Sequence, residues 1–220
     1  MSRDHVPYVA LLLSMACTTT TPPTARARGD ATSRLASVRT AALIPMVVKE
    51  YEVSAGGVVE FKEDWSTEAR KALEDALAFE LKARRIELRR IEPDAETKEE
   101  IEDLRLLSEA VNASVPFPGS AFDFSLGPVA PLLDRYGADA LLFVWARSRI
   151  PSGGRKALAF LSGSGESDAG RVTITLVDRS GDVVWYDSRA RLGSNADLRS
   201  TDSAAELVRL LLSDLPPAKP

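Results

Sequence analysis

The centre of the sequence reads Tyr136-Gly137-Ala138-Asp139-Ala140-Leu141-Leu142-Phe143-Val144-Trp145-Ala146. Six apolar residues in a row precede Ala146, and the run is bounded by Gly137 and, farther on, by Pro151. A short continuous apolar run between turn-forming residues is typical of a strand that is covered on both faces. We therefore expect the fold to be built around a buried central strand.

Two more strands are predicted after this central strand. Residues 171–178 are rich in β-branched side chains, and the turn Asp178-Arg179-Ser180-Gly181-Asp182 leads into Val183-Val184-Trp185-Tyr186-Asp187. Two such runs joined by a short turn that contains glycine are typical of a hairpin. Together the three segments predict the middle of a β-sheet.

The remaining segments alternate between strand and helix patterns. A strand over 38–48 is expected to end, bulge or lie at an edge at Pro45, because proline cannot donate a ladder hydrogen bond. Apolar stripes at the helical period predict helices over 67–84 and 96–113, with a short strand over 86–91 between them. A short helix is expected over 128–136, and a capping box at Ser203 and Glu206 predicts a last helix to about residue 213. The fold class is α/β, with helices packed against a mixed β-sheet of about five strands.

Composition limits the classes of function. The chain has 220 residues and a formal net charge of −4, and its one histidine and one cysteine are His5 and Cys17. The mixed charges argue against a nucleic-acid surface, which needs a basic stripe. Beyond residue 17 there is no histidine or thiol, so Cys/His zinc sites and histidine-based catalytic triads are excluded there. No metal and no cofactor is predicted.

The start of the chain has the features of an export signal. Arg3 supplies a basic residue, 9–13 is an apolar run, and Ser14-Met15-Ala16 are small or slender residues before Cys17. The apolar run is too short to cross a bilayer as a helix. Cys17 resembles the lipidated cysteine of bacterial lipoproteins, which predicts a membrane anchor there. The alternative is a secretory signal cut near Ala16 that leaves a free thiol.

The segment after Cys17 is expected to be a flexible tether. Residues 18–33 are mostly Thr, Pro, Ala, Arg and Gly and lack a periodic apolar pattern, so they are not expected to fold by themselves. The predicted organisation is a signal peptide over 1–16, the lipidated Cys17 and tether over 17–36, a globular domain over 37–216 and a tail over 217–220. Thr18 is not the aspartate that retains lipoproteins in the inner membrane, which favours the outer membrane, facing the periplasm.

An irregular segment over 114–127 carries three phenylalanines, Phe117, Phe122 and Phe124, beside two prolines and two glycines. Loops at the edge of a scaffold often carry binding groups, so these three side chains are the candidate contacts for a partner. The alternative interpretation is that Phe122 and Phe124 fold back onto the core.

Several short motifs carry a resemblance to a known family. They are Ala55-Gly56-Gly57 with Asp64-Trp65-Ser66, the run 122–127, Tyr136-Gly137-Ala138-Asp139, Leu176-Val177-Asp178 with 181–185, and Asp197-Leu198-Arg199. They look like motifs of a family of uncharacterised bacterial envelope lipoproteins. At fold level the chain is similar to the curli secretion lipoprotein, to the lipoproteins that activate cell-wall synthases and to the amino-terminal domain of the Tol-system propeller protein. The resemblance implies no catalytic residues and favours a non-enzyme.

Three functions are carried forward from the sequence. The first is an envelope lipoprotein whose domain binds another envelope protein as an accessory module. The second is a hydrolase that uses carboxylates such as Asp123, Asp139 and Asp178, since paired carboxylates can do acid–base chemistry when their pKa values differ. The third is a small-molecule or glycan binder that uses Trp145 and Trp185, although tryptophans in strands are more often core residues.

Overall fold

The structure is a computed structural model that describes residues 25–115, 122–162, 168–193 and 196–216. It is mixed α/β, as the sequence predicts. The described residues form eight strands: β1 (Arg26–Ala27), β2 (Thr40–Leu43), β3 (Val47–Val53), β4 (Val59–Lys62), β5 (Glu87–Arg90), β6 (Ala140–Pro151), β7 (Ala169–Asp178) and β8 (Val183–Leu192). They also form six helices: α1 (Ala31–Leu35), α2 (Glu63–Ala83), α3 (Lys98–Ser114), α4 (Ala130–Tyr136), α5 (Gly153–Ser162) and α6 (Thr201–Leu211).

The predicted central strand is β6, and it is the longest strand of a single mixed sheet. On one side β6 pairs antiparallel with β7, which pairs antiparallel with β8, and β1 covers part of the outer edge of β8. On its other side β6 pairs parallel with β2 and then, farther along, with β3. Outside these, β5 pairs with β2 and β4 pairs with β3.

The break at Pro45 accounts for one of the three strands beyond the five expected, and β1 and β4 are the other two. Residues 44–46 separate β2 from β3, so the single strand predicted over 38–48 becomes two strands along the same edge of β6. Ile44 still donates to the carbonyl of Leu142 over 3.0 Å, which keeps the chain beside β6 through the break. Strands β3 and β4 form a hairpin whose turn contains Gly56 and Gly57.

Helices cover the two faces of the sheet and bury two apolar clusters. On the first face, α2 and α6 pack against alternate residues of the sheet such as Leu142, Val144 and Ile174. On the second face, α3 and α4 pack against the opposite set, such as Leu141, Phe143 and Val177. This two-sided cover is the reason why β6 begins as a continuous apolar run.

The folded domain begins earlier than the predicted boundary at residue 37. Residues 26–27 pair with β8, Arg28 donates to the carbonyl of Val184 over 3.2 Å, and α1 buries Ala31 and Leu35 in the first apolar cluster. The prediction of a tether through residue 36 is therefore wrong for residues 25–36. These elements are too short to show a hydrophobic period in the sequence. Contacts with β8, rather than intrinsic helix or strand propensity, hold them in place.

Two helix starts also differ from the predictions. The helix predicted from Thr67 begins at Glu63, four residues earlier. The last helix begins at Thr201, and Ser200 rather than Ser203 is its N-cap, because the Ser200 side chain accepts from the backbone nitrogen of Ser203. Helix α5 forms where the sequence showed only an apolar patch over 157–161.

Candidate functional site: an open basic face of the sheet

One half of the second sheet face carries no helix. Along β6 the side chains alternate, and Ala146, Ser148 and Ile150 are buried on the first face whereas Arg147 and Arg149 are exposed on the second. Helix α3 reaches only as far as half-buried Trp145, over whose ring Arg105 lies at 5.7 Å. Beyond Trp145 the second face is open to solvent in the part of the chain that the structure describes.

Four cationic side chains occupy this open half, and we call them the basic face: Lys49, Arg147, Arg149 and Arg171. Lys49 of β3 pairs with Arg147 of β6, and Arg147 pairs with Arg171 of β7, so three cations form one row across three neighbouring strands. Arg149 lies in the next row, opposite Ala169. All four residues are exposed.

The cations of the basic face have no carboxylate partner in the part of the chain that the structure describes. Among the ion pairs of the described residues, none involves any of the four side chains. Like charges directly opposite each other on a sheet destabilise it. A row of three in a chain with a net charge of −4 is a cost that folding alone does not require. An anion that bound there would remove the repulsion.

Aromatic side chains lie beside the cations. The guanidinium of Arg147 lies 4.9 Å from the ring centre of Tyr51, and the Tyr51 ring meets that of Phe61 edge-on at 5.8 Å. Each contact fixes the direction of a long side chain on an otherwise flat surface. The basic face is thus partly preorganised on its β3–β4 side.

Two depressions extend the basic face. One of 410 Å³ is lined by Arg147, Arg149 and Arg171 together with Ala190 and Leu192. The other, of 590 Å³, continues from Lys49 and Phe61 to the first half of α3, where Lys98, Glu102 and Arg105 line it. The carboxylate of Glu102 is already bound by Arg105. The surface therefore keeps its positive character across both depressions.

The basic face ends at one edge of the molecule, which we call the far end of the sheet: residues 147–151 of β6, 169–171 of β7, 190–192 of β8 and the turn 54–58. Helix α5 lies across it, since Arg155 donates to the carbonyl of Ser54 and Lys156 pairs with Asp168 over 2.9 Å just before β7. Large apolar side chains are exposed there, among them Phe160 at 87%, Leu161 at 80% and Leu192 at 73%.

The predicted partner-binding phenylalanines are placed differently from the basic face. Phe117 and the predicted lipidation site Cys17 lie outside the described residues. Phe122 and Phe124 are half-buried against the second apolar cluster, with ring centres 5.8 Å apart. The segment is tied to β8 by the bond from the Val183 nitrogen to the carbonyl of Phe124. Only the outer part of these two rings is accessible to a partner.

Of the three carboxylates considered for hydrolysis, Asp123 and Asp178 belong to one ion-pair network, whereas Asp139 lies outside it. The network is joined through Arg28, Asp182 and Arg34. Asp123 pairs with Arg28 at 2.5 Å, and Asp178 pairs with Arg34 at 2.7 Å. Asp139 accepts from the backbone nitrogens of Arg39 and Thr40 over 2.8 and 2.9 Å. Each carboxylate thus connects two parts of the fold.

Of the two tryptophans considered for ligand binding, Trp185 is 1% exposed and belongs to the core.

A buried acid that the sequence did not single out lies on the opposite face of the same strands. Glu50 of β3 is fully buried, accepts a hydrogen bond from the hydroxyl of Ser148, and leaves its Oε1 without a hydrogen-bond partner among the described residues. Burial raises the pKa of Glu50 to about 7, against the opposing effect of the Ser148 hydroxyl. Glu50 therefore takes up a proton near neutral pH.

The basic face had a signal in the sequence, in the residues between the apolar run and Pro151. The continuation Arg147-Ser148-Arg149-Ile150 alternates charged and less polar residues, which is typical of a strand that is exposed on one face. That Lys49 and Arg171 join the two arginines depends on strand order and register, which a single sequence does not supply.

Comparison with known proteins gives no further guidance: the chain matches no family model and no curated protein. Among the described residues, no cluster of three or more acidic, histidine or cysteine side chains is suited to hold a metal ion. Nor is any described helix both long and apolar enough to cross a membrane.

Proposed function

We propose that this protein is a lipoprotein of the bacterial cell envelope, anchored through Cys17, whose folded domain is a non-catalytic binding module for an anionic partner. The observation that carries the binding role is the basic face, where Lys49, Arg147 and Arg171 form a row without a carboxylate partner among the described residues. Surfaces that retain an unfavourable charge arrangement commonly do so for function.

The segment of sequence that precedes the folded domain supports the lipid anchor. An apolar run over 9–13 precedes Cys17, and the motifs that resemble envelope lipoproteins lie in the folded part. With the domain starting near residue 25, only residues 18–24 separate it from Cys17. The anchor would hold the domain close to the membrane, and Thr18 favours the outer membrane, on its periplasmic side.

A binding role is favoured over hydrolysis by the contacts of the candidate acids. The carboxylates of Asp123, Asp139 and Asp178 each neutralise a cation or cap backbone nitrogens of the fold. The cations of the basic face, in contrast, are exposed and form no ion pair with a described carboxylate. The envelope lipoproteins that this chain resembles bring no catalytic residues, which also favours a binding role.

The anchor is tested by intact mass and membrane fractionation of the full-length protein made in a bacterial envelope, beside Cys17→Ala. We expect two or three acyl chains on the cysteine of a shortened chain that sediments with the membrane. The variant, with no thiol to modify, should be released to the soluble fraction. A soluble, unlipidated wild-type protein would refute the anchor.

A further inference from the structure

We propose that the anionic partner of the basic face is the headgroup layer of the membrane that carries the anchor, so that the domain lies on the bilayer with its far end and basic face against it. This inference rests on the proposed function, since it takes Cys17 as the point of attachment. Three features of the fold point to it.

The first feature is the direction in which the chain leaves the domain. Because β1 runs antiparallel to β8, with Arg26 opposite Tyr186 and Ala27 opposite Trp185, the chain before Arg26 leaves toward the Leu192 end of β8. That end is the far end of the sheet. The covalent link to Cys17 therefore departs toward the edge at which the basic face ends.

The second feature is the length of that link. Eight residues from Ala25 to Cys17 span at most about 29 Å when fully extended. Measured along β8, the far end at Leu192 lies about 17 Å beyond the level of Ala25, from the rise per residue of a β-strand. A lipid on Cys17 can thus lie no more than about 12 Å past the far end in this direction, by the same limits. The length of the link therefore keeps the far end within reach of the headgroup layer.

The third feature is the chemistry of the corner where the far end and the basic face meet. Leu192 is exposed and lines the same depression as Arg147, Arg149 and Arg171, and Phe160 and Leu161 are exposed on α5, which lies across the far end. Apolar side chains beside basic ones are the pattern of surfaces that rest in a membrane interface. Basic residues near anionic lipid each strengthen attachment about fivefold.

An anionic bilayer fits this corner better than an acidic protein does. The cations are spread over a flat face on three strands and continue into a rim of exposed apolar groups, which suits an extended layered surface. The tether also holds the corner near the bilayer at high effective concentration.

The test uses the full chain with Cys17→Ser, which carries no lipid, and measures sedimentation with vesicles. Vesicles of phosphatidylglycerol mixed with phosphatidylcholine are compared with vesicles of phosphatidylcholine alone. The test variant is Arg147→Gln/Arg149→Gln/Arg171→Gln. The matched control is Lys71→Gln/Lys82→Gln/Arg209→Gln, which removes the same charge from exposed residues of α2 and α6.

We expect the test variant to lose about 100-fold in partition to the anionic vesicles, whereas the control keeps most of its binding. Binding of the parent should weaken as salt shortens the screening length from about 10 Å to about 3 Å. Circular dichroism verifies that both variants are folded. Equal loss in the two variants, or equal binding to uncharged vesicles, would overturn the proposal.

A second measurement fixes the orientation. With Cys17→Ser as background, an environment-sensitive dye is attached at Leu192→Cys or, for comparison, at Lys82→Cys. Anionic vesicles should shift the emission of the dye at 192 to shorter wavelength and leave the dye at 82 unchanged. An emission shift of the dye at 82 alone would overturn the proposed orientation. If the protein did not bind vesicles and its basic face crosslinked to an acidic envelope protein, the partner would be a protein and not the membrane. Because these proteins carry no lipid, none of these results depends on the mass found at Cys17.

Discussion

At the scale of single residues, Glu50 is an acid in an environment unusual for its type, since it is fully buried. An acid with an ordinary pKa of 4.5 is held at about 7 by burial. Between these two values the folded protein keeps a proton that the unfolded chain releases. The protonated Glu50 therefore stabilises the fold fully below pH 4.5, and this contribution is lost as the pH rises to about 7. A shift of this size corresponds to about 3 kcal/mol.

Glu50→Gln should remove this dependence, since glutamine stays neutral and can still accept from Ser148. We expect the free energy of unfolding in urea to rise in the variant relative to the parent between pH 5 and pH 8, by about 3 kcal/mol. Glu68→Gln, an exposed acid on α2, is the control and should show a constant small difference. If the difference in free energy of unfolding between Glu50→Gln and the parent also stayed constant with pH, the effect of burial on the pKa of Glu50 would be refuted.

At the scale of elements, the sequence predicted those parts that are long enough to show a period. The apolar run of β6, the stripes of α2 and α3 and the break at Pro45 could all be identified, because each repeats or interrupts a pattern over many residues. The two residues of β1 and the five of α1 could not, since elements this short are held only by tertiary contacts. The basic face was missed for a related reason, because register alone brings Lys49 beside Arg147.

Helix α1 provides a test of the corrected domain boundary. Leu35 is 1% exposed and packs in the first apolar cluster. Leu35→Ala should therefore lower the free energy of unfolding by about 2–5 kcal/mol, as for other buried leucines. Replacing a residue of a flexible tether by alanine would leave the free energy of unfolding unchanged. Urea unfolding followed by tryptophan fluorescence gives the value.

The control for this prediction is Thr32→Ala in the same helix. Thr32 is exposed, so that its replacement should change stability by less than about 0.5 kcal/mol. If Leu35→Ala were as mild as Thr32→Ala, residues 25–36 would not belong to the cooperative unit, and the longer tether predicted from the sequence would be restored.

At the scale of the whole molecule, the basic face opposes the stability of the free protein. The chain is acidic overall, and most of its arginines, such as Arg34 and Arg189, are engaged with carboxylates. The repulsion between Lys49, Arg147 and Arg171 is therefore local, and a bound anionic surface would relieve it. If binding is the reason for the arrangement, changes that improve stability at this face should weaken binding.

Arg171→Glu separates these two effects, because it places a carboxylate opposite Arg147. The free energy of unfolding should rise by a few tenths to about 1 kcal/mol in low salt, since a repulsive cross-strand pair becomes an attractive one. The gain should shrink at high salt, and the same variant should sediment less with anionic vesicles. Arg209→Glu makes the same change of charge in the last turn of α6, away from the basic face. It should leave vesicle binding largely unchanged and lower the free energy of unfolding slightly, because the helix dipole disfavours an acid there. A variant that lost stability and kept its vesicle binding would show that the row of cations stabilises the sheet by other means, and the basic face would no longer count as a surface maintained for an anionic partner.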